Sequence, residues 1–274
     1  VSPRPRPPRL EPHIPEPQAP ASPPTLEQRL ERAKVAGAGV GPGPTELRRF
    51  IERVVAGDPG ALGELPEFSG LTAVEAWAAF DAVFGITPEQ PTIDAHRTVD
   101  AARRAVAQIE EVGRGGGRIA VATASPASVL PLAQAFARLA RGAGGELEVL
   151  PDAGPIRVDG RSGRALRWVD GVASVTDGQG LLATRDGEAA REWFFVLRRP
   201  SLVVADGPFA EVAWAMGVPV VALAPPERGA LAIAAARADR CLVVPVRMDR
   251  EPRCYGPLSE ALEAWKKQTL AGEL

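Results

Sequence analysis

Residues 202–245 read LVVADGPFAEVAWAMGVPVVALAPPERGALAIAAARADRCLVVP. Three short apolar runs stand out: Leu202-Val-Val-Ala205, Val218-Pro-Val-Val-Ala-Leu223 and Cys241-Leu-Val-Val-Pro245. Runs of this length without polar alternation are expected of strands covered on both faces. Between the first two, Phe209, Val212, Ala213 and Met216 recur at helical spacing, and Leu231 to Ala238 fills the second interval. Strand–helix–strand alternation builds a parallel sheet through right-handed crossovers.

Moving toward the N-terminus, Ile119-Ala-Val-Ala-Thr123 is another such run. A helix follows it, with Val129, Leu132, Ala133, Phe136, Leu139 and Ala140 on one face. Ser128 as its N-cap would place Pro131 at the third helical position, where no hydrogen bond is lost. Leu147 to Leu150 and Gly171 to Thr176 read as strands. Ile156 to Asp159 and Ala165 to Val169 flank a hairpin loop at Gly160–Gly163, Asp170-Gly171 is a turn, and Trp193 to Leu197 reads as one more strand. The fold expected is α/β: a Rossmann-like, open, mostly parallel sheet with an inserted β-hairpin and an N-terminal helical layer.

Three regions follow. Residues 1–24 carry ten prolines. Proline fixes φ and lacks the N–H, so this arm is expected to be extended and outside any ladder. Residues 25–113 form the helical layer, a cap over or beside the sheet. Thr25 with Gln28 has the spacing of a capping box. Pro44-Thr45 opens a helix with Leu47, Phe50, Ile51, Val54 and Val55 on one face. Thr72 opens another with Val74, Trp77, Ala78 and Val83 inward. A long helix from about Asp94 to Val112, with Val99, Ala102, Val106 and Ile109 inward, ends at Gly113–Gly117. Residues 114–274 are the α/β core.

Composition narrows the function classes. The 274 residues carry a net charge of −2 and no basic stripe, so nucleic acid is not an expected partner. Two cysteines make no disulfide framework, and no apolar run approaches the roughly 18 residues of a membrane span. The opening residues lack the apolar stretch of a signal peptide. A cytoplasmic protein without a membrane partner is the expectation; oligomeric state is not legible. Lysine occurs only at Lys34, Lys266 and Lys267, and the arginine excess reads as compositional bias.

Ligands of open α/β sheets bind beyond the carboxyl ends of the strands, so the loops there hold the candidates. Thr123, Ser125 and Ser128 place hydroxyls at a strand end and a helix start, either as an anion cradle or as ordinary caps. Asp206 ends a strand and Gly207 permits close approach; the carboxylate either binds Mg²⁺ or caps the next helix. Thr176 and Asp177 end another strand in a hydroxyl and a carboxylate, or form a turn with Gly178. Asp177 and Asp206, joined by Asp152, would suit a divalent cation. Thr92 to Thr98 brings together Asp94, His96 and Arg97, either a helix start or an acid–base group with Arg97 on a phosphate. Motifs for a P-loop, a GxGxxG turn after a strand, a zinc site or a GxSxG elbow do not occur.

The segments Ile93-Asp94 with Arg97-Thr98, Ala120 to Leu132, Arg167-Trp168 to Val172, Val175-Thr-Asp-Gly178 and Val203 to Asp206 resemble a family of actinobacterial phosphatases. The resemblance implies phosphatase activity and brings no catalytic residue with it. Val204 to Val218 is also similar to the acidic fourth motif of haloacid-dehalogenase-type phosphatases, and Ile119–Thr123 to their second. Their Asp-x-Asp-x-Thr nucleophile motif has no match before Arg118. Two readings stand. One is a Mg²⁺-assisted phosphohydrolase of a small phosphorylated metabolite, with Asp177 and Asp206 on the metal. The other is a non-catalytic binder of a phosphorylated or acidic small molecule.

Overall fold

The computed structural model describes residues 23–150, 155–158 and 161–272. Among these, five helices precede the first strand: α1 (Leu26–Arg32), α2 (Pro44–Val55), α3 (Pro59–Leu62), α4 (Ala73–Phe84) and α5 (Ala95–Arg114). Local chemistry sets their starts. Thr25 and Thr72 form capping boxes with Gln28 and Glu75, and Asp94 accepts the His96 N–H at the head of α5. α2 and α5 bury the faces expected of them.

α4 does not. Ala76, Ala79, Phe80 and Phe84 point inward, whereas Val74 is 79% exposed and Ala78 faces solvent. Two phenylalanines at i, i+4 bring more apolar area than the valine-led face. Phe80 meets the rings of Phe50, Trp77 and Phe84.

The core continues as β1 (Arg118–Ala122), α6 (Pro126–Gly142), β2 (Glu146–Leu147), β3 (Pro155–Val158), β4 (Arg161–Val169), β5 (Val172–Thr176), β6 (Leu181–Leu182), α7 (Gly187–Val196), β7 (Leu202–Asp206), α8 (Gly207–Ala215), β8 (Val220–Ala224), α9 (Ala230–Arg237), β9 (Cys241–Pro245) and α10 (Gly256–Gly272). The sheet order is β3-β4-β5-β1-β7-β8-β9, with β2 on the start of β1 and β6 on the end of β5. β5, β1, β7, β8 and β9 run parallel, and the hairpin β3–β4 is antiparallel. This is an open, mostly parallel, Rossmann-like sheet whose parallel strands follow the doubly wound order 2-1-3-4-5.

Alternation along the strands divides the core in two. Ala120, Ala122, Val203 and Ala205 face α2, α4, α7, α8 and α9; Ile119, Val121, Leu202 and Val204 face α1, α5, α6 and α10. The helices before β1 therefore lie on both faces of the sheet. Asp170 (φ 53°) and Gly171 (φ 92°) close β4 onto β5 in a two-residue turn of the mirror type that matches strand twist.

Three expectations are corrected. Trp193 to Leu197 belongs to helix α7 and its C-cap, with Asp186 capping its start and Ala189, Ala190 and Trp193 inward. The expected strand at Leu147–Leu150 is only Glu146–Leu147, because β5 takes over the edge of β1 from Val121 onward. α6 begins at Pro126, not after Ser128, since proline at the first helical position pre-sets φ. Pro131 therefore lies inside the helix, without an N–H for the Ala127 carbonyl.

Candidate functional site

β1 and β7 are neighbours, paired from Ile119↔Leu202 to Ala122↔Ala205. The chain leaves β1 toward β2 and β5 on one side, while β7 leads to β8 and β9 on the other. Such a switch in strand order opens a crevice at the carboxyl ends. Two loops enter it: Thr123-Ala124-Ser125 from β1 and Asp206-Gly207 from β7.

Thr123 is fastened to β5. Its N–H donates to the Ala173 carbonyl at 2.9 Å, and its carbonyl accepts from Ser174 Oγ at 3.0 Å. Its Oγ1 accepts the Ser125 N–H at 3.1 Å. Asp206 Oδ1 accepts the Ala124 N–H at 2.6 Å across the two strand ends. Asp206 occupies the N-cap position of α8 and Ser125 that of α6, yet neither side chain caps its helix. The simple capping role is therefore not what these residues perform, and two helix N-termini converge uncapped by side chains at the crevice.

The electrostatics are unusual. Asp206 is 1% exposed, and its Oδ2 is buried with no hydrogen-bond partner among the described residues. Burial pushes its carboxyl above the ordinary value, against the Ala124 N–H, the Thr123 and Ser125 hydroxyls and the charge of Arg228. Arg228 closes the helical turn Pro226–Arg228 after β8, and its guanidinium lies against Gly207 (φ 51°). A Cβ on Gly207 would stand 2.7 Å from Arg228 Nη1, so the glycine makes room for the cation.

Below this, Glu211 of α8 is buried and accepts the Glu64 N–H at 3.0 Å. Burial raises its pKa, and the charges of Glu64 and Asp206 add to the effect against that of Arg228. Glu64 in turn pairs with Arg191 of α7. The segment after α3 is thereby tied to α7 and α8.

Of the other candidates, Ser128 touches the crevice loop, and the contacts of the rest lie elsewhere. Asp177 Oδ1 accepts the N–H groups of Gln179 and Gly180, both at 2.9 Å, which hold its carboxyl below the ordinary value. Thr176 Oγ1 donates to the Gly180 carbonyl at 2.7 Å. Both serve their own turn. Ser128 Oγ donates to the Ser125 carbonyl at 3.2 Å. Arg97 is exposed on α5 in a groove beside β9, with Cys241, Leu242 and Val243. His96 is exposed, with Nδ1 3.8 Å from Glu27 Oε1. Asp152 lies outside the described residues. Among the described residues no group of three or more His, Cys, Asp or Glu is placed to hold a metal ion, and no helix is long and apolar enough to cross a membrane.

A strand-end acid, a strand-end hydroxyl loop and a cation thus meet at one crevice, and residues 22–267 match the model of the Phosphatase family. The chain belongs to the Phosphatase family. It is 28% identical over 258 residues to Phosphatase SCO2771 of Streptomyces coelicolor, covering 86% of this chain and 93% of that protein. No solved structure matches the chain significantly. The family match runs from before α1 into α10, so the helices on both faces of the sheet are part of what it describes.

Arg228 and Glu211 escaped the sequence reading. Arg228 follows Pro225-Pro226, which marks the end of β8, but one arginine among so many gives no contrast. Glu211 sits in the quoted acidic segment without a role, because nothing local shows that it is buried.

Proposed function

We propose that this chain is a phosphohydrolase that acts on a small phosphorylated metabolite in the β1–β7 crevice. The observation that carries the reading is Asp206: a buried strand-end carboxyl whose Oδ2 lacks a hydrogen-bond partner among the described residues, beside Arg228 and two helix N-termini free of side-chain caps. The N-terminal amides and Arg228 favour a phosphoryl dianion there. Gly207 lets the phosphoryl group approach the backbone. Ser125, half-buried at the rim, offers a hydroxyl to its oxygens.

The proposal extends to a divalent cation such as Mg²⁺ at Asp206 Oδ2. One carboxylate with water and phosphate oxygens is an ordinary shell for that ion, which when bound supplies charge to the phosphoryl group. Asp177 is left out of this shell, because among the described residues no hydrogen bond or ion pair links it to Asp206 and its Oδ1 accepts two N–H groups of its own turn. Without a cation, burial favours the protonated form of Asp206, which suits it to protonate a leaving-group oxygen.

The test is phosphate release from a panel of phosphorylated metabolites with and without Mg²⁺ or Mn²⁺. Release abolished by a chelator supports the metal-assisted reading. Release that survives chelation assigns the proton-donor role instead. No release from folded protein moves the reading to a non-catalytic binder, which the lack of a histidine among the described crevice residues favours. A thermal-shift screen on the same panel then identifies the ligand.

A further inference from the structure

A cavity opens between α2 and the turn after β8. A cleft of about 690 Å³ is lined by Glu46, Arg49, Phe50 and Arg53 of α2 and by Glu227 of the turn after β8. It adjoins a smaller cavity of about 180 Å³ that shares Glu46 and Glu227 and reaches Arg247. Glu227 immediately precedes Arg228 in the turn after β8, so one turn supplies a lining residue of the cleft and the cation assigned to the phosphoryl group.

The lining selects a chemistry. Arg53 is taken up by Asp58, and Arg247 is held by both oxygens of Asp249. Glu46, Glu227 and Arg49 form no ion pair among the described residues. Two carboxylates accept O–H bonds and one guanidinium donates to oxygens, with a half-buried phenyl ring beside them. An acyl chain would meet charge on most sides, and a flat base would find one aromatic wall. A sugar or polyol presents hydroxyls that donate and accept, with C–H faces for the ring.

We infer that this cleft is the leaving-group site, and that the substrates are phosphate esters of sugars or polyols. The inference rests on the phosphohydrolase reading above. It assigns Glu46 and Glu227 to the hydroxyls and Arg49 to the ring or chain oxygens, while the phosphoryl group sits at Arg228 and Asp206.

The test compares kcat/KM for glucose 6-phosphate with that for p-nitrophenyl phosphate, whose leaving group has no hydroxyl array. Glu46→Gln, Glu227→Gln and Arg49→Ala are each measured, with melting curves to confirm folding. The expected result is a fall in the ratio of about tenfold or more in each variant, carried mainly by KM, as for loss of a hydrogen bond to a charged group. An unchanged ratio overturns the assignment. Turnover of p-nitrophenyl phosphate without turnover of glucose 6-phosphate overturns the sugar or polyol class but leaves the phosphohydrolase reading standing. No turnover of either removes that reading, and calorimetric titration with glucose 6-phosphate then decides the cleft. Binding weakened in Glu46→Gln supports it, and absence of heat in the unmodified protein overturns it.

Discussion

The backbone N–H of Ala124 donates to Asp206 Oδ1 at 2.6 Å and so joins the ends of β1 and β7. A strand-end aspartate that capped its own helix would aim its carboxyl forward along the chain. Asp206 aims sideways, toward the neighbouring strand. The bond satisfies one oxygen and leaves Oδ2 buried without a hydrogen-bond partner among the described residues. Burying a polar oxygen unpaired costs stability, so its retention points to use rather than packing.

Asp206→Asn tests that use. The amide is nearly the same size and keeps an oxygen for Ala124. Melting temperature is expected to hold or rise, because the cost of burying an ionisable group is removed. Phosphate release is expected to fall about a hundredfold, as for loss of a positioned acid or metal ligand. Undiminished turnover in the folded variant would refute the role.

Gly207→Ala probes the cation. A φ of 51° costs a residue with a Cβ about 1–2 kcal/mol, and that Cβ would crowd Arg228 Nη1 and Ala124. The guanidinium, being the end of a flexible side chain, is the group that moves. Activity is therefore expected to fall further than the loss in stability explains. Inorganic phosphate should raise the melting temperature less in the variant than in the parent.

Much of this was legible in the sequence, for physical reasons. β1, β5, β7, β8 and β9 are apolar runs that only a doubly covered sheet can bury, and the rule of carboxyl ends led to Thr123, Ser125 and Asp206. Asp170-Gly171 declared its turn because few residues tolerate positive φ. The helix face of α4 and the start of α6 were not legible, since both depend on which tertiary partner offers more area or which proline fixes the first turn. Arg228 and Glu211 reach the crevice from β8 and α8, and no local pattern records that convergence. Asp177 carried the same Asp-Gly signal as Asp206, and only the hydrogen bonds separate a turn acid from a buried one.

α7 shows how a composition rich in strand-forming residues misleads. Trp193-Phe-Phe-Val-Leu197 looks like a strand, which would place Trp193, Phe195 and Leu197 on one face. In the helix, Trp193 and Leu197 lie inward while Phe195 is 70% exposed. Trp193 also meets the ring of Phe209 edge-on at 5.2 Å. Trp193→Ala is expected to cost about 3–5 kcal/mol, and Phe195→Ser less than about 0.5 kcal/mol. Chemical denaturation of the two variants checks this, and comparable losses would return the segment to a strand.

The two buried acids also set a pH dependence of stability. Burial raises both Asp206 and Glu211 above their ordinary values of 3.8 and 4.5. In the unfolded chain each loses its proton near the ordinary value, whereas the folded chain holds it to higher pH. Between those points the native state binds more protons, so stability falls as pH rises. The contribution is fully present below the unfolded value and is lost as pH passes the folded one. The melting temperature is thus expected to decline upward from roughly pH 4 on account of these groups. Asp206→Asn and Glu211→Gln should each flatten the decline, the glutamine keeping an acceptor for the Glu64 N–H. Because the two charges repel and share Arg228, the double variant should flatten it by less than the sum of the singles. Melting curves from pH 4 to 8 read this directly, and a slope untouched by either substitution would show that neither acid holds its proton in the fold.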